Sequence, residues 1–128
     1  MDRLRTFAVA GWVLVATQVV HGAVPADTDA EGDVGFSTGI VLLLASLVGA
    51  SAAMLRRPWA APLLGWTGLV VALGFVLYHV VPVESPASNP YVGEGVGLAP
   101  WLTVVACVAA GLWNAALHLR GRAMAAAA

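Results

Sequence analysis

The run GWTGLVVALGFVLYHVVP, from Gly65 to Pro82, reads as part of a membrane span. It holds no Asp, Glu, Lys or Arg. Taken back to Trp59 it is long enough to cross a hydrocarbon core of about 30 Å, which takes roughly 20 helical residues. A shorter version occurs earlier, where Gly11-Trp12 leads through an apolar run to His21 and then Val24-Pro25. The tryptophan-to-histidine spacing is nine residues in the first copy and thirteen in the second, a difference of about one helical turn. Each copy places a single histidine close before a proline.

Working outward, the whole chain has the same character. Of its 128 residues 60% are hydrophobic and only 10% charged, against roughly a quarter charged in a soluble domain, and the mean hydropathy is +0.87. Four apolar runs reach spanning length, at about 4–24, 36–55, 59–81 and 99–119, and their one charged residue is Arg5, at the edge of the first. Each ends at a turn signal: Pro25, the Arg56-Arg57-Pro58 corner, Pro82, and Arg120-Gly121-Arg122. The first run is longer than the apolar core of a secretory signal, about 7 to 15 residues, so it reads as a span. The expected fold is an all-α integral membrane protein. Four transmembrane helices form one compact bundle over 1–122, and the tail 123–128 is disordered.

Charge sets the expected orientation. The basic residues are all arginine, Arg3, Arg5, Arg56, Arg57, Arg120 and Arg122, and fall in the N-terminal tail, the second loop and the C-terminal tail. Basic residues near helix ends are retained on the cytoplasmic side, so both termini are expected inside a multi-pass protein of a cell (plasma) membrane. The two outer loops are then 25–35, which is acidic, and 82–98, rich in Pro and Gly. An arginine-only, Ala/Gly/Val-rich composition is associated with GC-rich prokaryotic genomes. The acidic loop alternates Asp27, Asp29, Glu31 and Asp33 with Gly32 sixth, like the first half of a calcium loop. Thr38 stands where that loop needs its glutamate, and a solvated acidic loop is the simpler reading.

Small residues should set the packing, because lipid solvates leucine as well as protein does. Ala45, Gly49 and Ala53 recur on the second helix, and Ala106, Ala110, Asn114 and His118 on the fourth. Either stripe would serve a neighbouring helix, another copy of the chain or another protein. Asn114 reads as interhelical glue, His118 as an interface residue, and Cys107, the single cysteine, as an inert buried thiol.

The candidate site is the histidine pair. Helices one and three run in the same direction, and His21 and His79 each lie near the outer end, at similar depth. Gln18 sits one turn below His21, and Tyr78 adjoins His79. Two facing imidazoles suit axial haem ligation or part of a transition-metal site, although zinc normally takes three or four protein ligands. Against this stands the plain role of an amphipathic ring at an interface.

The four spans carry no intramembrane acid or base of the kind ion-coupled transporters use. The chain lacks a Cys-x-x-Cys, a phosphate loop and a basic nucleic-acid patch. Catalysis by the chain alone is therefore not expected. The expected function is that of a small non-catalytic accessory, assembly or self-associating subunit in the bilayer, partnered by other membrane subunits or by itself and not by nucleic acid. The alternatives are ligand, metal or haem binding with electron transfer at His21 and His79, and a small oligomeric transporter or channel.

Overall fold

The computed structural model describes residues 3–24, 33–82 and 90–127, with backbone only at 33–35. The described residues are helical and contain no strand: α1 Arg3–Ala23, α2 Asp33–Met54, α3 Ala60–Phe75 continued by a π-helical turn Val76–Val80, and α4 Leu98–Ala126. Four helices are long and apolar enough to cross a membrane. The chain is a multi-pass membrane protein by that measure. Most of the acidic loop, 25–32, and 83–89 of the second loop lie outside the described residues.

The α2–α3 corner follows from its hydrogen bonds. Arg57 N–H donates to Ala52 O at 2.9 Å and Arg56 N–H to Ala53 O at 3.1 Å, the paired closure of a Schellman motif. Its left-handed position is Arg56, at φ 55°, where glycine is the usual residue. An arginine there accepts a backbone cost of about 1 kcal/mol and puts a charge at the end of the span. Pro58 then prevents α2 from continuing, and Ala60 N–H to Arg57 O at 3.1 Å starts α3.

Helix α4 differs from its expected end at 119. It runs through Arg120-Gly121-Arg122 to Ala126, and residues 123–126, expected as disordered, are helical. The physical reason is composition: alanine has the highest helix propensity, and Gly121 lies inside the helix without the positive φ of a terminator. At the other end Pro100 sits in the first turn, where its missing N–H costs nothing.

The small-residue stripes face inward. Ser46, Gly49, Ala50 and Ala53 of α2 are buried, as are Cys107, Ala110, Gly111, Asn114 and His118 of α4. Leu64 of α3 fills the notch between α1 and α2: a methyl added at Gly11 would meet Leu64 Cδ1 at 3.0 Å, and one at Gly49 would meet Leu64 Cδ2 at 2.8 Å. Between α3 and α4 the approach is backbone to backbone. A Cβ at Gly68 would lie 2.6 Å from Gly111 O, and one at Gly111 would lie 2.5 Å from Gly68 O. Asn114, fully buried, donates to Ala10 O on α1 at 3.0 Å and to Ala110 O at 2.9 Å. The α1–α4 tie is thus the glue expected of it, and such bonds contribute about 0.6 to 2 kcal/mol within a membrane.

These contacts bring opposite chain ends together. The six arginines lie at one end of the bundle. The only acidic residues among those described belong to the other end, where Asp33 opens α2 and Glu94 precedes α4.

Candidate functional site

His21 and His79 meet. Their ring centroids are 5.0 Å apart with an interplanar angle of 63°, an edge-to-face contact. Antiparallel packing of α4 against α1 brings Thr103 to His21, and the π turn brings His79 in from α3. In that turn Val81 N–H reaches back five residues to Val76 O at 3.1 Å. The widened turn leaves the His79 carbonyl to Tyr91, whose N–H donates to it at 2.8 Å. Single π turns are rare and are frequent at functional sites. Here the turn buries His79, at 6% exposure, and leaves Tyr78 half-buried beside it.

The walls are aromatic. Phe75 touches both histidines, at 4.7 Å to His21 and 5.6 Å to His79. Tyr78 meets His79 edge-on at 4.7 Å, and Tyr91 lies tilted over it at 4.3 Å. Trp101 backs Tyr91 at 5.6 Å. Tyr91 comes from outside the spans and is buried, and burial first, then the neighbouring Tyr78, raises its phenol above the ordinary range. It remains a neutral hydrogen-bond donor at physiological pH.

Proton bookkeeping fixes the tautomer of His21. The Thr103 hydroxyl has one proton, and it donates to Pro100 O at 2.6 Å. Thr103 Oγ1 also lies 2.9 Å from His21 Nδ1, so Nδ1–H is the donor in that contact and Oγ1 the acceptor. Neutral imidazole then carries its lone pair on Nε2. Histidines that ligate metals are held in this way, by a second hydrogen bond from the other ring nitrogen.

Of the residues singled out in the sequence, His21, His79 and Tyr78 come together. Gln18 is engaged elsewhere. Its Nε2 donates to Ser46 Oγ at 2.9 Å and to Leu14 O at 3.1 Å, tying α1 to α2 below the pair. Sequence reasoning missed Phe75, Tyr91, Trp101 and Thr103. Nothing in their own segments marks the roles these four take here. The arrangement can offer a ligand one preset acceptor nitrogen and an aromatic wall. Among the described residues no group of three His, Cys, Asp or Glu gathers, so a metal here would rest on imidazoles alone. Rings in direct contact leave no room for a porphyrin between them, and a haem held by both would require them to part.

Deeper in the membrane the core closes. Leu14, Val71, Cys107 and Ala110 form a buried apolar cluster that separates the histidine end from Asn114. Comparison with family models, curated proteins and solved structures finds no match to the chain.

Proposed function

We propose that this is a small, non-catalytic protein of a prokaryotic cell membrane, with both termini in the cytoplasm, that holds a metal ion or small hydrogen-bonding ligand at its outer end between His21 and His79. One observation carries the reading: two histidines from different helices are in ring contact, and Thr103 presets one of them to present Nε2. An imidazole that needed only an interfacial hydrogen bond would have no use for a second histidine against its ring. The orientation rests on the gathering of all six arginines at the opposite end.

The test is an absorption spectrum with elemental analysis on the protein purified from its own membrane. A stoichiometric metal or chromophore is expected, reduced at least tenfold by His21→Ala or His79→Ala. A colourless, metal-free protein, or ligand content indifferent to both substitutions, overturns the reading.

A second reading, the accessory subunit, is favoured by α2. It is the least buried of the four spans, and Phe36, Ile40, Val41, Leu44 and Val48 project from it. Lipid is sufficient cover for such a face, so the reading stands on isolation of a partner. Mild detergent extraction should then yield a complex of fixed stoichiometry, disrupted by Val41→Trp with Val48→Trp. A monodisperse lone chain counts decisively against it.

A further inference from the structure

At the end of the bundle away from the histidine pair, α1 and α4 cross with Arg3 lying on the backbone of Gly121. A Cβ at Gly121 would overlap the Arg3 guanidinium, which settles there over bare backbone. The Arg3 Cζ is 5.9 Å from the centroid of the Phe7 ring. Arg122 is the next residue on α4, and His118 lies one turn before it. His118 is 8% exposed, and neither of its ring nitrogens has a hydrogen-bond partner; Asn114 Oδ1, a further turn inward, has none either. The Asn114 amide cannot turn to relieve this, because its Nδ2 is held by two carbonyls.

Buried nitrogens without partners are rare in folded proteins and mark a missing partner. The charge around them says which kind. Arg122 stands one turn beyond His118 on α4 and Arg3 rests on Gly121, three residues beyond it, and the described acidic residues are at the far end of the molecule. Asp2 lies outside the described residues. On the third side the Trp66 ring is 6.1 Å from His118 and half exposed to the bilayer, and Gly65 gives His118 its place, since a Cβ there would overlap it. The result is Arg3 on Gly121, Arg122 one turn beyond an unsatisfied imidazole, and the Phe7 and Trp66 rings alongside, at the arginine end of the spans.

The geometry points to a site for the phosphate of an anionic phospholipid, with Arg3 and Arg122 taking its oxygens and His118 backing them as an N–H donor. Guanidinium forks match phosphate oxygens in pairs, and basic pockets between transmembrane helices on the cytoplasmic side are where such headgroups lodge. The aromatic flank suits the upper acyl chain. A free phosphate shares the headgroup chemistry but gains nothing from Phe7 and Trp66, and this favours the lipid.

The experiment uses the full chain in nanodiscs of phosphatidylcholine alone, or with one quarter phosphatidylglycerol, and follows thermal unfolding by tryptophan fluorescence. Phosphatidylglycerol is expected to raise Tm by about 4 °C or more, and native mass spectrometry should retain one such lipid per chain. Arg3→Gln with Arg122→Gln should abolish both effects. Arg5→Gln with Arg120→Gln removes the same charge from other faces of the same helices and should leave them in place. His118→Phe should weaken retention; if that variant does not fold, the two arginine pairs still decide. Equal loss in both pairs would reduce the effect to general surface charge and overturn the site, as would the absence of any shift. An equal rise with millimolar inorganic phosphate in phosphatidylcholine discs would overturn the lipid as occupant. Each outcome is independent of what His21 and His79 bind, since that cluster lies at the other end of the bundle.

Discussion

Gly68→Leu should separate α3 from α4 and cost about 3 kcal/mol of stability, at the upper end of what overpacking usually costs. A side chain at Gly68 would begin 2.6 Å from the Gly111 carbonyl oxygen and 2.8 Å from Asn114 Cβ. The first obstacle is backbone, which no rotamer change relieves, so the helices must move apart. That movement also strains the Asn114 bonds to Ala10 O and Ala110 O, and through them the α1–α4 tie. Thermal unfolding in detergent micelles, followed by tryptophan fluorescence, gives the measurement. Gly74→Leu is the control: nothing lies within 4 Å of a Cβ there, and its Tm should stay near that of the parent chain. If Gly68→Leu unfolds at the parent temperature, the close α3–α4 contact is not a main source of stability.

Leu64→Ala should have the next largest effect, a loss of about 2 kcal/mol, because Leu64 is fully buried and lies against both Gly11 of α1 and Gly49 of α2. In water its removal would cost a transfer contribution and a cavity contribution. In a bilayer the first largely vanishes, because lipid solvates leucine, and the lost packing contacts remain. Gly49→Ala alone should also destabilise, since the new methyl would start 2.8 Å from Leu64 Cγ and Cδ2. Combined with Leu64→Ala that clash disappears. The double variant should therefore be more stable than the two single losses added together, a coupling that a double-mutant cycle in the same unfolding assay measures directly. Strict additivity would mean that Leu64 does not occupy the glycine notch.

Both predictions concern small residues whose importance was visible in the sequence only as a spacing. The stripe on α2 could have faced a neighbouring helix, another copy or another protein. Ser46, Gly49, Ala50 and Ala53 turn inward because Leu64 and Gln18 meet them there, and neither partner can be read from the stripe itself. His118 shows a related limit: its place near the end of a span was legible, but the gap that buries it is left by Gly65 on another helix. The outer site is similarly divided. The helix direction and depth of His21 and His79 followed from counting residues, but their contact depends on the rotation of α1 and on a π turn at Val76–Val80. Thr103 and Tyr91 carried no mark of the roles they take, and the partner of Asn114 is a backbone carbonyl, which has no sequence signature at all.

Four spans, the corner at Arg56-Arg57-Pro58 and the gathering of arginine at one end were legible before any packing. These depend on hydrophobic length, charge and turn chemistry, which add up locally along the chain. Tertiary packing settled which faces touch, that His21 meets His79 with its Nδ1 engaged by Thr103, and that Arg3 rests on Gly121 three residues beyond an unsatisfied His118. Those outcomes depend on rotations of whole helices about their axes, set by glycine notches and single hydrogen bonds between residues far apart in the chain, and one residue of π-helical slip is enough to change them.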